Sequence, residues 1–183
     1  MKMKKLLLSL SLIFMAAGAT LAQEQGSIRI GAGLVYGTKA GINDEGDSKG
    51  GIGINIGGEY FFTDKISAAP SLTYFLKSES EVTTGFGTYK SSVQFTSINI
   101  DGRYYFGEGD IAFYGLAGLS IASVKIDSNS DFGGSGSASE TGVNLGAGLI
   151  YPINDQLGLN GQIKYNTPLE QLAIQAGISY TIK

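Results

Sequence analysis

From residue 28 onward, apolar side chains alternate with polar or small ones in eight successive segments. Ile28, Ile30, Ala32, Leu34 and Tyr36 share one face of the first. Ile52, Ile54, Ile56, Gly58, Tyr60 and Phe62 do so in the second, and Ile66, Ala68, Pro70, Leu72, Tyr74 and Leu76 in the third. Ile98, Ile100, Gly102, Tyr104 and Phe106 make the fourth, with Val93 and Phe95 before them in the opposite phase. That slip predicts a β-bulge near Thr96 or Ser97. The fifth segment has a better face (Ile111, Phe113, Gly115, Ala117, Leu119, Ile121) and a competing one (Tyr114, Leu116, Val124). The sixth carries Val143, Leu145, Ala147, Leu149, Tyr151 and Ile153. The seventh carries Leu157, Leu159, Gly161, Ile163 and Tyr165, and the eighth Leu172, Ile174, Ala176, Ile178, Tyr180 and Ile182. A period of two, with Ile, Tyr, Phe and Thr enriched, predicts β-strands.

The connections alternate in length. Tight turns are expected at 63–65, 107–110 and 154–156. Long connections rich in Gly, Ser and Asp fall at 37–50, 78–92 and 126–140, with a shorter one at 167–171. In an antiparallel meander this puts every tight turn at one end and every long loop at the other. With eight strands both termini join the tight-turn end.

Two closed barrels fit such a meander. A soluble carrier turns its apolar face inward, and a membrane barrel turns it toward lipid. The strand charges Arg29, Glu59, Lys77, Asp101, Arg103 and Lys164 all fall opposite the apolar face. An Arg or Lys facing mid-bilayer lipid costs about 2–4 kcal/mol, so the charge-free face suits lipid. The opposite face is mostly Gly, Ser, Thr, Asn and Gln, too poor in charge for a soluble surface. It suits the narrow interior of an eight-stranded barrel, which side chains alone fill. Tyr60, Phe62, Tyr104, Phe106, Phe113, Tyr151 and Tyr180 lie near the tight turns, and Tyr36, Tyr74 and Tyr165 near the long loops. Two aromatic girdles are expected at the two membrane interfaces.

The N-terminus places the protein outside the cytoplasm. Lys2, Lys4 and Lys5 precede an uncharged run from Leu6 to Ala17, then small residues up to Ala22. This is the layout of a signal peptide over residues 1–22, cleaved after Ala22. The run is too short to span roughly 30 Å of hydrocarbon as a helix. Its removal takes three of the 13 basic residues and leaves 10 against 16 acids, a net charge of −6. That balance gives no electrostatic reason to bind nucleic acid. The barrel domain is expected over 23–183.

With this pattern in hand, the chain resembles the small eight-stranded outer-membrane barrels of the OmpA/OmpX type, porin-like proteins of Gram-negative envelopes. The resemblance covers the whole mature chain. Its sharpest local element is the last strand, where Gln175, Gly177, Tyr180 and Ile182 match the polar residue, glycine and spaced hydrophobics of the signal read by the barrel-assembly machinery. The chain departs from the commonest form, which ends in an aromatic, because Lys183 follows Ile182. The resemblance implies an all-β, eight-stranded, antiparallel up-and-down transmembrane barrel in the outer membrane.

Little in the chain points to chemistry. It has no histidine and no cysteine. That closes imidazole-based catalysis, disulfides and the usual zinc sites. The barrel enzymes that the resemblance brings to mind use histidine, so no enzyme activity is expected. Gly31-Ala32-Gly33, Gly51-Ile52-Gly53 and Gly146-Ala147-Gly148 fail to complete a phosphate-binding glycine motif, since Tyr36, Ile56 and Tyr151 stand at its last position. Asp127-Ser128-Asn129-Ser130-Asp131 begins like a calcium loop but has Phe132 and Ala138 where Gly and Glu are needed. No cofactor and no metal is expected. Phe86, Tyr89 and Phe132 are aromatics in polar loops, where they pack loop bases or make adhesive contacts.

Buried charges need partners. Arg29, Glu59, Asp101 and Arg103 are therefore expected to form one network that plugs the lower lumen, the alternative being a wet path lined by the same residues. The reading is a monomer in outer-membrane lipid, assembled by the barrel-assembly machinery, with an envelope-structural role or a surface role through its long loops toward an extracellular ligand. A narrow pore for small solutes is the alternative, and a soluble periplasmic barrel binding a hydrophobic ligand the weaker one.

Overall fold

The computed structural model describes residues 24–43, 45, 47–84, 87–106, 111–128 and 135–182. The segment expected to be a signal peptide lies outside them. Nine strands occur among the described residues: β1 (Ile28–Ile42), β2 (Ser48–Phe61), β3 (Ile66–Phe75), β4 (Ser78–Thr84), β5 (Gly87–Phe106), β6 (Ala112–Ser128), β7 (Gly136–Pro152), β8 (Leu157–Asn166) and β9 (Gln171–Ile182). Each pairs antiparallel with its neighbours. The order β3-β2-β1-β9-β8-β7-β6-β5-β4 closes because β5 also pairs with β3. β3 and β4 are successive parts of one stave, so the barrel has eight.

Closure runs through β1 and β9, from Ile28 opposite Ile182 to Gly37 opposite Ala173. The start of β1 and the end of β9 thus meet at the tight-turn end. Among the described residues the turns there are 62–65 and 153–156, and the turn expected at 107–110 lies outside them. In the first, Thr63 Oγ1 accepts the Ile66 N–H, and in the second Asn154 Oδ1 accepts the Leu157 N–H. These side chains satisfy the backbone where the ladder stops.

The large apolar side chains point out of the barrel. Leu145 is 67% exposed, and Leu34, Leu119, Ile98, Ile100 and Ile178 are all exposed on the same outer surface. The better face of the fifth segment is the outer one: Phe113, Leu119 and Ile121 are exposed while Tyr114 and Leu116 are buried. Tyr60, Phe62, Tyr104, Phe113, Tyr151 and Tyr180 are exposed around one rim, and Tyr36, Tyr74 and Tyr165 around the other. A lipid-facing surface explains this inversion of the usual core, because hydrocarbon rather than protein covers the apolar side.

The interior is narrow enough that small residues are required. Gly33 and Gly177 stand opposite each other across the closing seam. A β-carbon on Gly33 would collide with the Ala176 carbonyl, and one on Gly177 with the Ala32 carbonyl. Strong curvature brings inward positions together, and only glycine leaves room there.

Three expectations need correction. β5 carries no bulge at Thr96 or Ser97, and its ladder with β6 runs unbroken from Ser91–Ser128 to Phe106–Phe113. The irregularity lies on the partner stave. Tyr74 faces Thr96 but Ser78 faces Val93, so four steps there oppose three on β5. Val93 and Phe95 face inward because the upper lumen is apolar, formed by Val35, Ala40 and Phe75 with Phe95, Leu169 and Ala173 against them. Lys77 sits at that break and is not a lumen residue. Its side chain is 46% exposed, 4.0 Å from Asp127.

The long loops, finally, are mostly strand. β1 runs to Ile42 and β2 starts at Ser48, β4 pairs with β5 up to Thr84–Gly87, and β6 pairs with β7 up to Ile126–Gly136. Pairing continues above the apolar band because the backbone there still gains by satisfying its own hydrogen bonds.

Candidate functional site

Alternation along each strand aims one polar set into the lumen, and the register sets its heights. Arg29 on β1 faces Glu59 directly on β2. Glu59 is 4% exposed. Its Oε2 accepts from Arg29 Nη1 at 3.2 Å and from Arg103 Nη1 at 3.0 Å. Its Oε1 accepts from the Tyr105 hydroxyl at 2.7 Å and the Ser67 hydroxyl at 2.5 Å. One carboxylate therefore meets four donors from four other positions. Arg103 Nη2 reaches on to Gln162 Oε1 at 3.1 Å, which also accepts from Tyr114.

Below and beside these groups lies an aromatic floor. Phe61 and Tyr105 stack with centroids 5.5 Å apart, and Tyr105 and Tyr114 at 5.2 Å. The Arg29 guanidinium lies over Phe61 at 4.9 Å and that of Arg103 over Tyr114 at 4.6 Å. Cation–π contact of this kind strengthens when desolvated. Leu116, Ala112 and Ile150 complete the cluster.

Asp101 does not join this group. It is 1% exposed and pairs with Lys164 at 3.0 Å, while Asn144 Nδ2 donates to its other oxygen at 2.7 Å. Asn144 also donates to Asn99, and Asn166 donates to Asn144 and to Ser120. Two networks thus replace the single one expected. Asp101 and Arg103 share a face but stand two residues apart, about 7 Å along the strand. Arg103 reaches across β3 to Glu59, and Asp101 reaches across the lumen to β8. Lys164 was legible as an inward charge. Tyr105, Tyr114, Gln162 and Asn144 carry the same signal, inward parity, without a charge to mark them.

A third polar set links β2, β3 and β9. Asn55 donates to Thr73 Oγ1 at 2.8 Å and accepts from Gln175 Nε2 at 3.1 Å. Gln175 and Gly177 of the expected assembly signal thus face inward, while Tyr180 and Ile182 are exposed outside. Between the Asn55 set and the Glu59 set is a chamber of about 40 Å³ lined by Arg29, Asn55, Glu59, Ser71, Arg103 and Gln175, among others.

Above the girdle, β4 to β7 continue as a sheet. Val143 turns its backbone toward Thr167, whose hydroxyl accepts the Val143 N–H at 2.8 Å and whose N–H donates to the Val143 carbonyl. β8 ends at Asn166 opposite Asn144. By alternation, the backbone groups of Ser137, Ser139 and Thr141 point to the same side, where no strand continues among the described residues. Asp127, at the start of the rejected calcium motif, faces Lys77 and Lys125. Phe86, Asp131 and Phe132 lie outside the described residues, as does the side chain of Tyr89.

The family model described as outer membrane protein beta-barrel domain matches residues 6–181. Several solved barrels are similar in fold. Ail, the attachment invasion locus protein of Yersinia pestis, crystallised with the heparin analogue sucrose octasulfate, is 20% identical with a TM-score of 0.63, over 87% of this chain and 100% of that one. The N-terminal β-barrel domain of Pseudomonas aeruginosa OprF is 22% identical with a TM-score of 0.61, over 87% and 100%. Pseudomonas aeruginosa OprG is 14% identical with a TM-score of 0.60, over 90% and 98%. No curated protein sequence matches the chain.

Proposed function

The chain belongs to the outer membrane protein β-barrel family, and from that premise we propose that it is a non-enzymatic, non-conducting barrel whose working part is the sheet above the membrane. The observation that carries this reading is the open edge of β7 at Ser137, Ser139 and Thr141. An unpaired strand edge is a template for an added strand, and proteins that do not use one usually block it with Lys, Pro or a bulge. Here only Glu140 interrupts a run of Gly, Ser, Ala and Thr. An extended segment of an extracellular partner is the ligand class such an edge takes. The two buried ion-pair networks serve as internal cross-links that hold the barrel shut. Residues 1–22 direct export and are removed. Gln175, Gly177, Tyr180 and Ile182 are read by the assembly machinery, and the mature chain stands alone in outer-membrane lipid without binding nucleic acid.

Support for the closed lumen comes from its contents. Aromatic rings, two ion-paired layers and an apolar cap follow one another along the axis. The second reading, a narrow pore, is favoured by the small chamber between the Asn55 and Glu59 sets. Single-channel conductance of the refolded mature chain in a planar bilayer separates the two. Folding is verified first by heat-modifiable gel migration. A folded barrel that gives no steps supports the surface role. Reproducible steps altered by Arg103→Ala or Glu59→Ala mean a pore and overturn the plug.

A further inference from the structure

The barrel interior holds one more positive charge than it can match. Among the described residues that line it, Arg29, Arg103 and Lys164 are cationic and Glu59 and Asp101 are anionic. Asp101 is taken by Lys164. Glu59 serves two guanidiniums at once, and its oxygens already accept from Ser67 and Tyr105. It can neutralise only one of the two. The remaining charge is in a protein interior ringed by lipid, where an unmatched ion is costly. A second observation falls at the same place. Arg103 Nε is buried and has no acceptor.

Both guanidiniums line the chamber of about 40 Å³. A space of that size exceeds the roughly 10–15 Å³ needed for one water, so it admits a small ion. Its other polar walls are Asn55, Ser71, Asn160, Gln175 and Ser179, none of them charged. Glu59 also lines it, but its charge is spent on the pair it joins. The chamber exists because Gly31, Gly57 and Ser71 are small. We propose that it is a binding site for a single chloride-sized monovalent anion, held against Arg103 and Arg29. Cations are repelled by the two guanidiniums.

The test uses the full mature barrel refolded in detergent micelles with sodium bromide, so that the ion is present while the lumen forms. Crystals of it are examined for anomalous scattering at the bromine edge. In parallel, the temperature of the heat-modifiable gel transition is compared in bromide and gluconate at equal ionic strength, for the wild type and for Arg103→Gln. The expected result is an anomalous peak within hydrogen-bonding distance of Arg103, and a transition several degrees higher in bromide that Arg103→Gln loses. General salt effects appear equally in both proteins and so cancel. Should Arg103→Gln fail to fold, Ser71→Val, which removes a hydroxyl from the chamber wall and leaves the charges alone, is expected to shrink the bromide effect. A chamber without anomalous signal, or a bromide effect equal in wild type and variants, shows that it holds water only and overturns the proposal.

Discussion

At Glu59 a single carboxylate holds two guanidiniums and two hydroxyls, so its removal strands several buried groups at once. Breaking a buried pair by removing one partner costs about 3–5 kcal/mol. Glu59→Ala is therefore expected to lower the stability of the folded barrel by about that amount in a urea titration read by gel migration. Loss of under 1 kcal/mol would mean that water replaces the carboxylate and that the cross-link contributes little. Glycines make the other sharp prediction at this scale. Gly177→Ala places a methyl against the Ala32 carbonyl across the closing seam, whereas Gly161→Ala meets only the Leu149 side chain at ordinary contact distance. The first should sharply reduce the yield of the heat-modifiable form and the second should leave it unchanged. Equal yields would show that the seam can open to admit a side chain.

Strands divide into a lipid-facing band and an extension above it, and the same substitution has different consequences in each. Ile100 is exposed, opposite Pro70 at the middle of β3. Ile100→Arg should cost about 2–4 kcal/mol in lipid bilayers. Ser123→Arg, on the outer face above the girdle, should cost about 0–1 kcal/mol. Similar costs at both would mean that the apolar band is not where the aromatic rims place it. In the extension, Lys90 bonds Glu81 across the β4–β5 hairpin. That hydrogen bond and the carboxylate's charge raise the ammonium above the usual lysine range. A cation raised in the folded state stabilises below its unfolded pKa and loses that contribution only as pH rises through the folded one. Lys90 therefore keeps its charge until strongly alkaline pH, and the pair, being exposed, is weakened by salt.

On the scale of the whole molecule, a closed sheet below opens into a partial one above. Closure removes edges only where every stave has two neighbours. Among the described residues β7 outruns β8, so its upper edge is open there. Amide exchange tests this arrangement. The N–H groups of Ser137, Ser139 and Thr141 should exchange much faster than those of Ala138 and Glu140, which point at β6. Uniform protection along the strand would mean that the edge is already covered, by the chain itself or by a second copy, and the surface reading would lose its support.

Much of this is legible in the sequence. Period-two alternation gave eight staves, their lipid-facing sides and the aromatic rims, because lipid on one side and a narrow lumen on the other impose opposite chemistry on successive residues. Parity alone also turned Arg29, Glu59, Asp101 and Arg103 inward. What parity could not supply was height. Which inward group meets which depends on the stagger of strands far apart in sequence, so the separation of Asp101–Lys164 from the Glu59 cluster belongs to tertiary structure. The inward turn of Val93 and Phe95 is hidden from the sequence for a related reason. An apolar cap in the upper lumen looks, strand by strand, like a change of phase. The expected loops became hairpins because pairing depends on backbone groups, which are the same in every sequence, while Gly and Ser only suggest where it stops. The chain by itself determined the wall of the barrel, and only closure decided what stands inside it and which edge is left open.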